Sequence, residues 1–507
     1  MNRPVIMHTH LFFSASLWLL LSCNRYDPQQ IFLPQDSYMT VHFNCQSLNG
    51  KGEWSKLSKE WFPVDSFSTV QDSIWLKMMS ADQSTGIDLK QGLYLTSSLR
   101  GAGRYRCLQG MLKDSSAFLR FNKLLQESSP IYQEDDLHVL PLNNLTLLVW
   151  NGYRFLCITD APVVTEEIRR KENTMEYAPP YSIPADSLLV IAREIFRNGP
   201  KHSLQKEEHF AEMLQEPGDL NIWTNPSSLG YVKEEGLAGL WQSMSLLEGE
   251  ENRTAVKVFF DEGMIRCQAT EYLSEQWAAR LEDAPASPLN EQEINRIPSD
   301  LTTVLIGVRV PSGLMPYLLQ QQGVFQLFDA LHASDKEFVN KLAKVTGGTL
   351  LMALGAQAGE KDPSKEKMLL AGTLRDKNEF VQLFAASDAK NDPTPFTSQM
   401  QVFAAEDSWF AGSNDSATAY SFLNNKNNVH PYAKKMAGHL FSFYADLGTL
   451  KYQEKAGAGF TESSVPGNSK WKELKVDGDI TGKGRLGLNA MIGLADPQQN
   501  FFQQKDN

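Results

Sequence analysis

Apolar and polar positions along this chain fall into short runs whose order recurs. A phrase of one apolar residue, proline, a spacer and aspartate occurs three times, as Leu33-Pro34-Gln35-Asp36, Ile183-Pro184-Ala185-Asp186 and Ile297-Pro298-Ser299-Asp300. Apolar-rich runs follow at 38–43, 188–192 and 301–308. Proline has no backbone N–H, so it fits the entry of a strand and not its interior. Aspartate after it turns the chain through side-chain-to-backbone hydrogen bonds. The phrase therefore predicts a turn that opens a buried strand, used to begin three structural units.

Between these openings the spacing of apolar residues predicts the remaining elements. Trp54, Leu57, Trp61 and Phe62 share one helical face, and 74–79 predicts a second short helix. Strands are expected at 92–96 and 104–111. Asp114 then caps a helix carrying Phe118, Phe121, Leu124 and Leu125. Asn151-Gly152 between the runs 145–150 and 153–158 is a strong hairpin signal. Helices are expected at 160–170, 204–215 and 271–282, and strands at 220–223, 237–247, 254–261 and 264–270. In the third unit a long helical stretch covers 312–344. Strands follow at 349–355 and 367–373, with Asp376 before a helix carrying Phe380. A hairpin of 400–404 with 409–412 leads to a helix capped by Asn414-Asp415. Strands at 438–447, 471–476 and 484–493 close the chain.

The order "strand, Asp, Phe helix, hairpin, helix" occurs early and again late. This predicts an internal duplication that gives two related domains of α+β class, with mostly antiparallel sheets and helices packed on one face. The first repeat spans 31–283, in sub-units 31–175 and 176–283. A Pro/Ala/Ser linker occupies 284–296, and the second repeat spans 297–507.

Composition adds an address. The chain has 507 residues, 42% hydrophobic, enough for two or three domains with real cores. Its 48 basic and 60 acidic residues leave a net charge of −12, which argues against a general nucleic-acid binder. Residues 1–22 carry a weakly basic start and an apolar stretch too short to span a bilayer, the pattern of a signal peptide. The stretch ends in Leu20-Leu21-Ser22-Cys23, which resembles the lipobox of bacterial lipoproteins. That resemblance implies cleavage before Cys23, acylation of its sulfur by palmitate-like chains, and a polar tether at 23–30. Cys45, Cys107, Cys157 and Cys267 remain. In an oxidising envelope four cysteines permit three pairings, but 45, 107 and 157 lie in apolar strand-like runs, where buried free thiols are expected.

No catalytic, metal or cofactor constellation emerges. There is no Gly-x-Ser-x-Gly elbow and no His-Glu-x-x-His. His202 and His209 beside Glu207-Glu208 are expected on a solvated helix. Glu134-Asp135-Asp136 with His138 predicts an acidic loop. The stretch 478–484 departs from a phosphate loop, because Gly484 stands where Ser or Thr belongs, and a turn is expected. Gly101-Ala102-Gly103 lacks the third glycine of a dinucleotide fingerprint. Asp477 and Asp479 do not continue into a calcium loop. Glu166-Glu167 and Glu234-Glu235 do not by themselves argue for glycosidase chemistry. Asp72-Ser73-Ile74, Asp186-Ser187-Leu188 and Asp415-Ser416-Ala417 resemble a short O-glycosylation motif.

Taken together, the Cys23 lipobox, the Pro-x-Asp strand openings, Gly86-Ile87-Asp88 and the Asp–Phe helix unit resemble a family of Bacteroidota cell-envelope lipoproteins with a domain of unknown function. The resemblance implies a Gram-negative envelope address, lipid-anchored at the outer membrane or facing the periplasm, and transfers no catalytic residue, metal or cofactor. The expected function is non-enzymatic binding or scaffolding of an envelope protein or glycan, with membrane attachment through Cys23 and no nucleic acid. The alternative is a hydrolase or carbohydrate-acting enzyme built on carboxylates such as Asp135 and Asp136.

Overall fold

The computed structural model describes residues 31–52, 85–101, 103–125, 130–161, 182–197, 203–225, 252–282, 287–309, 344–355, 366–385, 400, 402–424, 428–448 and 471–502. The signal peptide, Cys23 and the tether lie outside these residues. So do the helices expected at 54–62, 74–79, 160–170 and 312–344, apart from their end residues, and the strand expected at 237–247.

The elements open with β1 Ser37–Phe43, α1 Cys45–Lys51, β2 Leu93–Arg100, β3 Gly103–Met111, α2 Ser115–Leu125, β4 Tyr132–Glu134, β5 Leu137–Asn143, β6 Thr146–Trp150, β7 Arg154–Asp160 and α3 Ala185–Arg197. They continue with α4 Glu208–Gln215, β8 Leu220–Thr224, β9 Arg253–Asp261, β10 Met264–Tyr272, α5 Glu275–Glu282, α6 Glu291–Ile294, β11 Val304–Arg309, β12 Thr346–Gly355, β13 Lys367–Leu374 and α7 Lys377–Ala385. The last are β14 Val402–Glu406, β15 Trp409–Ser413, α8 Ser416–Asn424, α9 Ala433–Met436, β16 Phe441–Asp446, β17 Trp471–Gly482 and β18 Arg485–Leu494.

This overturns the expected α+β class. Among the described residues strand makes up 47% and helix 27%, and antiparallel strands carry the architecture. Contacts divide the chain into two units that interleave in sequence: Met1–Ser37, Ala81–Pro162 and Pro179–Ala211 in one, and Tyr38–Ser80, Val163–Ala178 and Glu212–Asn507 in the other. The physical reason lies in the strands. Runs such as Leu350-Leu351-Met352-Ala353 are apolar on both faces, so they demand cover on two sides and cannot support a helix layer on one.

The first unit holds a six-strand antiparallel sheet in the order β2-β3-β7-β6-β5-β4. A helix lies on each face. α2 inserts Phe118 against Trp150 and Phe155. α3 packs Leu188, Ile191, Ala192, Ile195 and Phe196 on Cys107, Val139, Val149, Leu156 and Ile158 of the other face. The strand expected at 188–192 is therefore part of this helix. Its buried residues recur three and four apart, and the Pro184 carbonyl accepts the Leu188 N–H at 2.9 Å, so proline sits just ahead of the first turn where it costs nothing.

The second unit holds a twelve-strand antiparallel sheet, β1-β8-β9-β10-β18-β17-β16-β11-β12-β13-β15-β14. The hairpin β17–β18 sits in the middle and joins β16 to β10. Cys45, expected in a strand, instead begins α1, where the Asn44 side chain accepts the Ser47 N–H. Helix 271–282 starts only at Glu275, because β10 runs on to Tyr272. Near β11–β15 both sheet faces are covered. Ile294, Phe422, Leu423 and Met436 pack on Leu305, Leu351, Leu369 and Tyr444, and Phe380 packs with Ile306, Leu370 and Phe410 on the reverse. Residues 288–296 are part of this packing: an Asn290–Glu293 capping box opens α6, and Leu289 and Ile294 are buried.

Candidate functional site

Several of the polar groups singled out from sequence lie within the described residues and are engaged by their own surroundings. Asp135 and Asp136 lie in the β4–β5 turn, with Asp135 at φ +55°. Arg197 of α3 pairs with Asp135 at 2.8 Å and Arg193 pairs with Glu134, while His138 stacks on Trp150 at 5.3 Å. The acidic loop is thus docked by arginines from a distant helix, a pairing that no local pattern reveals. Glu207 caps α4 by accepting the Phe210 N–H at 2.6 Å, which accounts for its place beside Glu208 and His209. His202, Glu166, Glu167, Glu234, Glu235 and Asp72 lie outside the described residues.

Residues 478–484 belong to the β17–β18 hairpin, with Gly484 at φ +67°, and no helix follows to receive a phosphate. Gly101 turns β2 into β3 at φ +61°. Asp477 and Asp479 do meet a histidine: His439 Nδ1 is 2.7 Å from Asp479, and its Nε2 is 3.7 Å from Asp477. Ser442 Oγ donates to Asp477 at 2.8 Å and Lys475 pairs with the same carboxylate at 2.6 Å. The serine therefore touches the carboxylate and not the imidazole. Proton abstraction needs the base on the hydroxyl, so the three residue types of a hydrolase are present in an order that does not activate the nucleophile. Among the described residues, no three His, Cys, Asp or Glu are arranged to hold a metal ion.

Cys45, Cys107, Cys157 and Cys267 are all free thiols. Cys107 faces Ile158 across the β3–β7 ladder and Cys157 faces Leu108, so the two sulfurs point to opposite faces. Burial pushes the Cys157 thiol up to about 12 and Cys267 up to about 11.

What the sequence did not reveal is an apolar surface assembled across long-range pairings. Registers align three rows on one face of the second unit's sheet. Ile265, Ile492, Leu474 and Ala445 form one row, Cys267, Ala490, Val476 and Phe443 the next, and Ala269, Leu488, Gly478 and Phe441 the third. None of these positions is polar, and Cys267, Ala490, Ile492, Leu474, Val476 and Phe443 are half-buried, with Phe443 and Leu474 packed against the core around Phe380. The opposite face of the same strands carries Arg266, Gln268, Lys475, Asp477 and Asn489, with Gln268 and Asn489 exposed. A cavity of about 10 Å³ lies farther along the apolar face among Val304, Ile306, Met352, Met368 and Met400. It is no larger than the roughly 10–15 Å³ one water needs, so it is a packing void and not a ligand pocket. The face is thus an apolar, half-buried strip of sheet, and not an exposed patch.

No family model matches the chain, and no curated protein matches it at a significant level. A solved structure, crystal form IV of TP0453, aligns at 6% identity over 51% of this chain and 87% of its own length, with a TM-score of 0.26. A likeness that low carries no argument about fold or function.

Proposed function

We propose that this is a lipid-anchored protein of a Gram-negative envelope that works by contact, binding or scaffolding an envelope protein or glycan. The observation that carries the reading is the half-buried, wholly apolar sheet face of β10, β18, β17 and β16. A partner that covers its outer atoms recovers roughly 25 cal/mol per Å² of apolar surface taken from water. The lipobox-like Leu20-Leu21-Ser22-Cys23 supports the anchor. Palmitate-like chains on Cys23 would hold the protein on the membrane, each buried methylene contributing about 0.8 kcal/mol. The ion pairs that occupy Glu134, Asp135 and Asp477 favour contact over hydrolysis at those carboxylates.

Two measurements test this. Mass spectrometry of the protein from its native membrane should find residue 23 as an acylated amino terminus. Crosslinking in intact cells, followed by capture of the anchored protein, should recover a specific partner. An unmodified amino terminus on a freely diffusing chain would remove the anchor, and repeated capture of no partner would remove the contact role.

A further inference from the structure

We infer that the β10–β18 seam is a protein–protein interface carried inside one chain, whose two halves recognise each other without the joint at 283–286; this does not rest on the contact role proposed above. Strand order reads β1-β8-β9-β10 up to the seam and β18-β17-β16-β11 away from it, antiparallel throughout. The second ladder is therefore the first turned by half a revolution about an axis through the sheet.

The registers place that axis. β9 turns into β10 at Gly263, φ +71°, and β17 turns into β18 at Gly484, φ +67°. Gln268 and Asn489 are each the fifth residue beyond those glycines, and they face each other across the seam. Around that pair the backbone bonds come in twos. Leu273 N–H donates to the Gly484 carbonyl and Leu494 N–H to the Gly263 carbonyl, both at 2.8 Å. Farther out, Asp219 N–H donates to the Val258 carbonyl as Leu440 N–H does to that of Gly478. Asn44 N–H donates to the Asp219 carbonyl as Arg309 N–H does to that of Leu440. Such reciprocity, residue i on j and j on i, is the mark of an isologous contact between two like subunits. Side chains are not shared: Cys267 corresponds to Leu488 and Arg266 to Gly487, so backbone pairing carries the recognition.

The tails cross the seam as well. Beyond β10 the chain enters α5, and a Cβ on Gly484 would sit 3.2 Å from the Ala278 methyl. Beyond β18 the Gly263 N–H donates to the Gln499 carbonyl at 3.0 Å, and Phe502 packs on Phe260 at 4.7 Å. Each half covers the hairpin turn of the other. An unpaired sheet edge is a template for another strand, and here each half supplies that strand to its counterpart.

The test uses the full chain from residue 23, with Cys23→Ser to exclude acylation and a protease site inserted after Ala284. The cut protein is expected to elute as one particle. After its two pieces are parted in urea and diluted together, it should regain the elution volume and circular dichroism spectrum of the uncut chain. Alternate residues of β10 bond to β18, and the Leu273 bond puts Ala269 among them. Ala269→Pro removes that N–H and is expected to weaken re-association about a hundredfold or more. Where Ala269→Pro does not fold even uncut, Gln268→Cys with Asn489→Cys takes its place. These two face each other as a non-hydrogen-bonded pair, with Cα atoms about 4.5 Å apart, so a disulfide should hold the cut pieces together on a non-reducing gel. Pieces that separate on cutting, or that never rejoin, overturn the inference. So does re-association that Ala269→Pro leaves unchanged, or a cysteine pair that does not bridge.

Discussion

The rings of Phe118 and Phe155 meet with centroids 5.1 Å apart at 32°, and Phe380 and Phe410 meet at the same 5.1 Å and 32°. The surrounding parts also correspond. Phe118 and Phe380 lie four residues past Asp114 and Asp376, whose side chains cap α2 and α7. Phe155 and Phe410 lie on β7 and β15, each the neighbour of the strand before the helix. The recurrence extends to the ladders: β2-β3-β7-β6 and β1-β8-β9-β10 are paired as β12-β13-β15-β14 and β11-β16-β17-β18 are.

Phe155 and Phe410 each lie over a glycine. A Cβ on Gly110 would sit 2.7 Å from the Phe155 ring, and one on Gly372 would sit 2.8 Å from Phe410 and 2.5 Å from the Thr349 carbonyl oxygen. Gly110→Ala and Gly372→Ala are each expected to destabilise by about 1–3 kcal/mol through overpacking, in urea denaturation. Gly372→Ala should cost more, because a backbone oxygen cannot swing away as a ring can. Adding Phe155→Leu to Gly110→Ala should return part of the loss.

Asp219 is the buried anchor of α1. Its carboxylate, 2% exposed, accepts from Ser47 Oγ at 2.5 Å, Lys51 Nζ at 2.7 Å and the Phe260 N–H at 2.6 Å. Asp219→Ala leaves the buried Phe260 N–H without its acceptor, while Lys51, 27% exposed, keeps Asp261 at 3.5 Å. It should lower stability by about 1–3 kcal/mol, visible as a fall in Tm. A change below about 1 kcal/mol would show that water already serves these groups.

Acid should weaken the fold through His42. It is buried against Asn221, whose amide lies 3.1 Å from Nδ1, and burial lowers its pKa from 6.5 to about 4. The unfolded chain therefore binds the proton first. This contribution is complete above pH 6.5 and is lost progressively as pH falls from 6.5 to about 4, on the order of 3 kcal/mol in all. His430, also lowered by burial, acts in the same direction. Urea midpoints at pH 7 and pH 4.5 should differ less in His42→Gln than in the parent.

Thiol labelling should separate the cysteines. Cys107 and Cys157 are buried, with pKa values raised by burial, so neither presents a thiolate at pH 8. Native protein treated with iodoacetamide is expected to label at Cys267 slowly and at Cys45, Cys107 and Cys157 only after unfolding. Peptide mass spectrometry should find no Cys107–Cys157 bridge under oxidation.

Local signals survived folding. Asn151 takes the Tyr153 N–H onto its side chain at 2.9 Å, as the Asn-Gly turn required, and Gly263 turns β9 into β10 at φ +71°. Both are settled within four residues. Where the sequence misled, the deciding partner was remote. Leu188 to Ala192 has the composition of a strand, and only Ile195 and Phe196 beyond it complete a helical face. The acidic loop at 134–136 gave no hint of Arg193 and Arg197. The apolar face was hidden for the same reason. Its rows join residues near 267, 443, 476 and 490, and each strand alone shows only ordinary alternation.

The central hairpin β17–β18 is the last part of the sheet to leave the ribosome. Until it arrives, β10 and β16 stand as two open edges inside a growing chain, each with a row of unpaired N–H and C=O groups. A protein cut short before residue 471 would keep those edges for good. Premature stop codons late in the gene should therefore yield aggregates, not a shorter working protein.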